Sequence, residues 1–309
     1  KQVFHEKLSP GETFDREYVL PGMAGTNSAS LEVSSMLPID LGRRLNYLIH
    51  YPHGCLEQTI SGAFPQLYLT GLVETSEAMD RRITSHVRSA LNKLIRFQKS
   101  SGNMSLWPGS SGNDWVTTYA GHFMLEAEKQ GYALPVGLKS KWLSYQQERV
   151  RNWSSDDDLY SAYGSNQAYR LYTLALAGYP DLRAMNRLRE ERRLCSSGKW
   201  MLVSAYLLAG QPEAAEQIAG RSDLKVTDYS PFNMTYGSGI RDKAIILQSL
   251  TRLGDDEQAF VLAREISQTL NKSYWMSTQS TAFCLMAMSE YFQNNPPSTP
   301  GMIYAYASG

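Results

Sequence analysis

The sequence is poor in cysteine, in net charge and in long apolar runs. Its three cysteines among 309 residues form no Cys-x-x-Cys pair and are too few for a disulfide framework, but an odd count leaves at least one thiol for another role. Thirty basic residues balance thirty acidic ones and are scattered, so nucleic acid is not an expected partner. No apolar run approaches the ~18 residues of a membrane-spanning helix. The 42% hydrophobic fraction indicates a globular chain.

The spacing of apolar residues in the sequence changes after Pro38. Residues 1–39 hold short alternating runs broken by Gly and Pro, which predict strands at the edge of a preceding β domain. From 40 to 293 the apolar residues recur at helical spacing, and 294–309 is typical of the start of a following domain. The first residue is a lysine and no signal peptide is recognisable, so we interpret the sequence as a piece of a longer protein.

The helical part predicts an all-α fold. Short loops with Gly, Pro or Asp join the segments in pairs, without a strict sequence period. Twelve segments suit a closed α/α toroid of about six helix pairs, and an open superhelical array is the alternative. The predicted helices cover 40–50, 55–73, 77–99, 113–131, 135–151, 157–178, 181–193, 198–210, 211–220, 238–254, 255–270 and 277–293.

The stretch "YPHGCLEQTISGAFP" at residues 51–65 carries the most informative chemistry. Cys55 follows His50 and His53, which suggests a metal site, but no further ligand of suitable spacing is near in sequence. A papain-like nucleophile would need a distant histidine as base, and the candidates His5, His86 and His122 have no recognisable catalytic context. A buried structural cysteine is the third reading.

A fourth reading joins Cys55 to Gln58. Residues three apart at a helix start face the same side, so the thiol could attack the side-chain amide, expel ammonia and leave a γ-glutamyl thioester. Pro52 and Gly54 predict a turn that places Cys55 at a helix N-terminus. Unpaired N–H groups and the helix dipole there are expected to lower the pKa of the thiol.

The same stretch resembles the thioester signature of the α2-macroglobulin and complement C3 family, in its bacterial branch. Gly54 to Gln58 match the pattern Gly-Cys-x-Glu-Gln residue for residue. The segments "NDWVTTYAGHFMLEA", "TYGSGIRDKAIILQSLTRLGD" and "WMSTQSTAFCLMAMSEY" resemble further family landmarks in the expected order. Together they cover roughly residues 40 to 293.

The resemblance implies the thioester domain of a protease inhibitor. That domain is an α/α toroid flanked by macroglobulin-type β domains of the same chain. Cleavage of a bait segment elsewhere would expose the bond, and a lysine of the attacking protease would become linked to Gln58, with Cys55 as the leaving thiolate. The trap works once, so it is not a turnover enzyme, and it needs no cofactor or metal. Relatives of this kind are periplasmic or lipid-anchored in the cell envelope.

The resemblance also assigns supporting roles. Pro52 and Gly54 shape the loop, and Glu57 orients it or meets solvent. His53 stands where relatives often have tyrosine or serine, and is either a bystander or close enough to influence the thiol. Some complement-type relatives use a histidine to direct the acyl group to hydroxyls, but no histidine follows His122. Direct attack by amines is therefore expected. An aromatic or aliphatic cover should shield the bond, and the candidates beside the matching motifs are Tyr51, Trp107, Trp115, Tyr119, Trp275 and Met276.

Two other classes of function stay open at this stage. Some α/α toroids are enzymes that act on glycans or isoprenoids, and Asp156, Asp157 and Asp158 could form an acid/base or metal-diphosphate site. Adjacent acids after serines are more often a solvated helix start. The domain could also be a binding scaffold that has lost the thioester, although both Cys55 and Gln58 are present.

Overall fold

The computed structural model of the chain forms two compact units, Lys1–Ser34 and Ser35–Gly309. In the first unit, residues 12–17 are exposed and belong to no strand, so the predicted strand is wrong there. A strand exists only when it is paired in a sheet, and no described residue pairs with these. The other predicted strands fall almost wholly outside the described residues, and the predicted domain limits stay predictions. The structure describes residues 12–17, 23, 37, 39, 44, 54–71, 76–154, 164–226, 235–272 and 275–296.

The described part of the second unit is helical, as the periodicity predicts. Eleven α-helices have described bounds, and they agree with the predicted segments to within a few residues at most ends. The predicted segment 40–50 lies outside the described residues except for Arg44, so the number of six pairs stays a prediction. The helices are Leu56–Ala63 (α1), Glu77–Leu94 (α2), Asp114–Lys129 (α3), Leu138–Arg151 (α4), Ser165–Leu176 (α5), Leu182–Arg189 (α6), Ser196–Leu208 (α7), Pro212–Ala219 (α8), Gly239–Leu253 (α9), Asp256–Asn271 (α10) and Thr278–Asn294 (α11).

The odd-numbered helices form a closed cycle. Helices α1, α3, α5, α7, α9 and α11 contact one another in that order, and α11 contacts α1 again. The even-numbered helices pack against this cycle, with α2 on α1, α4 on α5, α8 on α7 and α10 on α9. The contact between the last and the first helix favours a closed ring over an open array.

Burial separates the helices of the cycle from those packed on it. In α3 every residue from Trp115 to Ala127 is buried, and in α11 every residue from Thr278 to Ser289. The outer helix α2 buries one stripe, formed by Ile83, Val87, Ala90, Leu91 and Leu94. The helices of the cycle are buried on all sides because other helices surround them, whereas the outer helices bury only one apolar face.

Two sequence features set the limits of α1. Cys55 is the N-cap, with extended backbone, and Thr59 closes the first turn on the Cys55 carbonyl at 3.0 Å. The α-helix ends at Ala63 because Pro65 lacks the N–H that the next turn requires, and the chain continues as a 3₁₀ helix over Phe64–Gly71. The single helix predicted for 55–73 is thus two elements. No helix in the described ranges is both long and apolar enough to span a membrane.

Candidate functional site

Helix N-termini meet around Cys55. The N–H of Leu56 donates to the carbonyl of Leu106 at 2.9 Å, which ties α1 to the loop before α3. Thr278, the first residue of α11, donates to the Glu57 carboxylate. Ser280, also in the first turn of α11, lies 2.7 Å from Ser238, the N-cap of α9, hydroxyl to hydroxyl. The ring thus gathers the starts of α1, α3, α9 and α11 at one end.

The sulfur of Cys55 lies against the backbone of Gln58. The backbone N–H of Gln58 donates to Cys55 Sγ at 3.4 Å, so the Cys55 side chain folds back over the first turn of α1. Cys55 is buried, with 6% of its surface exposed, whereas Gln58 is partly exposed. The predicted position of Cys55 at a helix N-terminus is therefore correct.

A second cysteine cap gives a measure of side-chain reach. Cys195 caps α7 with nearly the same backbone angles, and its sulfur accepts from the Gly198 N–H at 3.3 Å. A Cβ on Gly198 would lie only 3.2 Å from Cys195 Sγ. With a cysteine N-cap of this geometry, the Cβ atom of the residue three positions later lies in contact with the sulfur. The Gln58 carboxamide carbon is two bonds beyond Cβ, so rotation about the Gln58 side-chain bonds can bring it to Cys55 Sγ.

The pKa of Cys55 contradicts the expectation of an activated thiol. Burial raises the pKa and the charge of Glu57 adds to this, while the backbone N–H groups of Gln58 and Glu57 lower it less. The helix terminus does act on the sulfur, but desolvation outweighs it. A thiol of raised pKa is a slower leaving group, so a thioester at this sulfur would be protected while buried.

The amide oxygen of Gln58 is unusual. Oε1 is buried and has no hydrogen-bond partner among the described residues. An unpaired buried acceptor costs about 1–3 kcal/mol, so such atoms in native structures call for an explanation. The carbonyl oxygen of a thioester is a weaker hydrogen-bond acceptor than that of a carboxamide. Burying it without a partner therefore costs less free energy than burying a carboxamide oxygen without one.

Glu57 is buried and does not meet solvent, contrary to one of its predicted roles. Its carboxylate accepts from Ser61 at 2.7 Å, and Thr278 Oγ1 lies 3.0 Å from both of its oxygens. Ser61 also lies 3.1 Å from the Tyr119 hydroxyl. Burial raises the pKa of Glu57, and the hydrogen bonds from Ser61 and Thr278 partly offset this. Glu57 therefore ties α1 to α11.

The predicted shielding residues are placed unevenly. Tyr119 and Met276 are buried, and Tyr119 reaches the site through Ser61. Trp107 is half exposed, and its ring edge would be 4.0 Å from a Cβ on Gly54. Trp115 is buried further inside, beneath the Arg241 guanidinium. Trp275 is 64% exposed.

Whether any of these residues shields a bond at Cys55 stays a prediction. The other predicted residues of the loop and the acidic run cannot be placed. Tyr51, Pro52, His50, His53 and Asp156 to Asp158 lie outside the described residues.

The structure adds site residues that the sequence did not single out. Ser61 and Thr278 hold Glu57, and the pKa of the Tyr236 hydroxyl is raised by burial and, to a smaller extent, by Cys55 and Glu57. Tyr236 and Thr278 belong to segments already noted for their resemblance, which was the available signal. Their contacts come from residues more than 170 positions away along the chain and so leave no local pattern.

The histidines offer no acyl-transfer group in the described part. His122 is buried, packs edge-on against Phe64 and hydrogen bonds with the hydroxyls of Tyr169 and Tyr172 at 3.0 and 3.3 Å. Burial lowers its pKa well below the usual value, so it is neutral. His86 lies 3.3 Å from the Gln66 amide oxygen. Neither is placed at Cys55 by a hydrogen bond.

Comparisons with known proteins agree with this architecture. Residues 29–160 match the family model described as the A-macroglobulin TED domain. The chain is 28% identical over 310 residues to the alpha-2-macroglobulin of Escherichia coli strain K12, which covers 91% of this chain and 18% of that protein. The chain thus spans less than a fifth of this curated relative.

Solved structures give the same result. A native E. coli alpha-2-macroglobulin from domain MG7 to the C-terminus superposes with a TM-score of 0.73 at 25% identity, covering 85% of this chain and 44% of that one. A Salmonella alpha-2-macroglobulin reacted with methylamine superposes with a TM-score of 0.72 at 26% identity, covering 83% of this chain and 18% of that one. An E. coli alpha-2-macroglobulin activated by porcine elastase superposes with a TM-score of 0.66 at 25% identity, covering 80% of this chain and 24% of that one.

Proposed function

Because this chain belongs to the α2-macroglobulin family and carries its TED domain, we propose that Cys55 and Gln58 form an internal thioester that captures attacking proteases. The observation that carries the proposal is the helix start itself. The sulfur of Cys55 lies 3.4 Å from the backbone nitrogen of Gln58, and the side-chain amide oxygen of Gln58 is buried without a described hydrogen-bond partner.

The thioester would form by acyl substitution at the Gln58 carboxamide, with ammonia as the leaving group. The Cys55 sulfur bonds to the Gln58 Cδ carbon, the C–N bond breaks, and the thiol proton leaves with the amide nitrogen as ammonia. In capture, the amine of a protease lysine attacks the same carbon and the C–S bond breaks. The lysine loses one proton, and the Cys55 thiolate takes one up. The N–H groups of Gln58 and Glu57, which lower the pKa of Cys55, stabilise the departing thiolate.

Burial of Cys55 and of the Gln58 amide oxygen supports a trap that waits for activation. While Cys55 is desolvated, its raised pKa slows the departure of the sulfur. Activation must then move the site toward solvent, which would speed both attack and departure. In the full protein, cleavage of a bait segment would supply this change. The protein would act once, in the cell envelope, beside β domains of its own chain.

The placement of His122 supports direct attack by amines. It is buried, neutral and engaged by two tyrosines, and no histidine follows it in the sequence. No histidine in the described part of the chain is placed at Cys55 to activate a hydroxyl nucleophile, whereas the unprotonated fraction of a lysine amine attacks without help. Surface lysines of the protease are therefore the expected partners.

Mass spectrometry of freshly purified full-length protein tests the bond. We expect wild type to be lighter than its sequence by one ammonia, and methylamine to add to Gln58 while one thiol appears. Cys55→Ser and Gln58→Glu should abolish the mass deficit, because neither retains both reacting groups. Cys195→Ser is the matched control, since it removes the other cysteine cap and should keep the deficit. A full mass with an untouched carboxamide in fresh wild type contradicts the proposal.

Conjugation to a protease tests the rest of the function. Wild type should give a protease adduct that survives denaturation, and Cys55→Ser should give none. Reductive dimethylation of the protease lysines should also remove the adduct, because tertiary amines cannot form an amide. An adduct that persists after dimethylation would indicate hydroxyl attack instead. Inhibition without any adduct in wild type would favour a non-covalent scaffold.

A further inference from the structure

The C-terminus of α10 lacks the usual local caps. Its last turn holds no basic residue, and its C-cap, Lys272, has an extended backbone instead of the left-handed conformation that closes many helices. The last carbonyls of a helix have no partner within it and carry the negative end of the helix dipole. The end of α10 therefore needs hydrogen-bond donors from elsewhere in the chain.

Arg44 supplies these donors from a distant part of the sequence. Its Nε donates to the Leu270 carbonyl at 2.8 Å, across 226 residues. Its Nη2 donates to the carbonyls of Lys272 at 2.6 Å and Thr269 at 3.3 Å. Only 6% of Arg44 is exposed, so water cannot easily replace these hydrogen bonds. A buried guanidinium at the negative end of a helix is a strong and specific attachment.

The chain on both sides of Cys55 is attached to the junction of α10 with α11. Arg44, eleven residues before Cys55, binds the end of α10. Glu57, two residues after Cys55, accepts a hydrogen bond from Thr278 at the start of α11. The stretch that carries the sulfur is thus held at both of its ends.

The chain before Arg44 also packs on the second unit. Leu37 and Ile39 are partly buried and lie against its hydrophobic core. From the first compact unit, Lys1–Ser34, the chain reaches Cys55 only through this stretch. A displacement that travels along the chain from the first unit would therefore meet the attachment of Arg44 before it reaches the sulfur.

We propose that Arg44 is a positioning residue, which holds the chain that leads into Cys55 on the end of α10 and thereby limits local opening at the sulfur. A locally opened state is populated according to the free energy of the contacts that must break. Loss of the Arg44 attachment should therefore raise the population in which Cys55 meets solvent. An effect on the lifetime of the thioester rests on the proposed function, whereas the effect on access to Cys55 does not.

The test compares Arg44→Gln, Arg44→Lys and wild type in the full-length protein. Glutamine removes the charge and most of the donors, whereas lysine keeps the charge but loses the planar fork that reaches several carbonyls. Arg187→Gln is the matched control, because Arg187 of α6 also donates to a carbonyl just beyond a helix end, that of Trp153 after α4. Urea unfolding of each variant measures how much global stability each substitution removes.

The readout depends on whether fresh wild type is lighter than its sequence by one ammonia. If it is, release of the Cys55 thiol is followed in amine-free buffer. Arg44→Gln should release it at least about tenfold faster than wild type, because hydrogen bonds from a charged group are lost, and Arg44→Lys about threefold faster.

If fresh wild type shows no mass deficit, the proposed function fails and the attachment is tested alone. Labelling of Cys55 by iodoacetamide is then followed by peptide mass spectrometry, with the same factors expected. In both arms Cys195 is the internal reference, and its labelling should stay within about twofold of wild type, because only a general loosening of the fold exposes both sulfurs.

A Cys55 rate in Arg44→Gln equal to that of wild type would overturn the proposal in either arm. An equal acceleration at Cys195, or in Arg187→Gln, would do the same, because it would show a general loosening. Should Arg44→Gln fail to fold, Arg44→Lys decides. An acceleration of about threefold at Cys55 alone then supports the proposal, and a rate equal to that of wild type overturns it.

Discussion

The hydrogen bond from Thr278 to Glu57 should contribute a pH-dependent part of the stability. Thr278→Val keeps the shape of the side chain and removes the only described donor to Glu57 from α11. Because Glu57 is 7% exposed, water cannot easily replace that donor. A hydrogen bond to a charged group is worth about 1.5–3 kcal/mol and a neutral one about 0.5–1.5. The substitution should therefore cost about 2 kcal/mol while Glu57 is ionised in the folded protein and about 1 when it is protonated.

The direction with pH follows from the raised pKa of Glu57. A carboxyl whose folded pKa is raised binds more protons in the folded state, so the free energy of unfolding falls as pH rises from the unfolded pKa through the folded one. Loss of the Thr278 donor raises the folded pKa further. The gap between wild type and Thr278→Val should therefore be smallest near pH ~4 and widen as pH rises.

Urea unfolding of the full-length protein at several pH values measures this gap. Thr281→Val is the matched control, because Thr281 is equally buried but donates only to the Ser277 carbonyl of its own helix, at 2.9 Å. Its loss should be independent of pH. Glu57→Gln should remove the pH dependence, since glutamine does not titrate, and adding Thr278→Val to it should not restore it.

A Thr278→Val loss that is the same at every pH would refute the reasoning. So would a pH dependence that survives in Glu57→Gln, because the titrating group would then be another one.

Two further predictions concern the packing and charge of α3. Asp114→Asn should lower the free energy of unfolding by about 3 kcal/mol at neutral pH, because it removes the negative charge that lies 3.1 Å from the buried Arg170 guanidinium. Burial opposes ionisation, but Arg170, Tyr145 and Arg149 lower the pKa of Asp114, so its stabilisation is lost as pH falls, and the two proteins should converge in acid unfolding curves. Gly121→Ala should cost about 1–3 kcal/mol in thermal unfolding, because its Cβ would lie 2.0 Å from the Trp142 ring, which a hydrogen bond to the Thr117 carbonyl holds in place. Trp142→Leu in the same chain should recover part of that loss, and no recovery would place the strain elsewhere.

The helices were predictable because their signals are local. Apolar spacing and capping residues lie within each segment, as in α2, where Ser76 caps the helix and the buried stripe recurs every three or four residues. Pro65 is a local signal for the end of α1 as well, but the apolar spacing continues through it and predicted one helix over 55–73. The strand predicted within 12–22 is absent over residues 12–17, the part of that run that the structure describes.

The position of Cys55 at a helix start could likewise be predicted, because Pro52 and Gly54 precede it and an apolar-periodic helix follows. Its pairing with Gln58 stays a prediction. The sign of the Cys55 pKa shift could not be predicted. A helix terminus is visible in sequence, but the depth of burial depends on neighbours from distant segments, and here desolvation outweighs the backbone N–H groups.

The sequence by itself determined the helical class, the position of Cys55 three residues before Gln58 and the resemblance to the α2-macroglobulin family, because each depends on residues close together in the chain. Only the tertiary structure decided that Glu57 is a buried tie between α1 and α11 and that Trp275 faces solvent. Those facts depend on closing the ring of helices, which brings residues from opposite ends of the chain into hydrogen-bonding distance and removes water from between them.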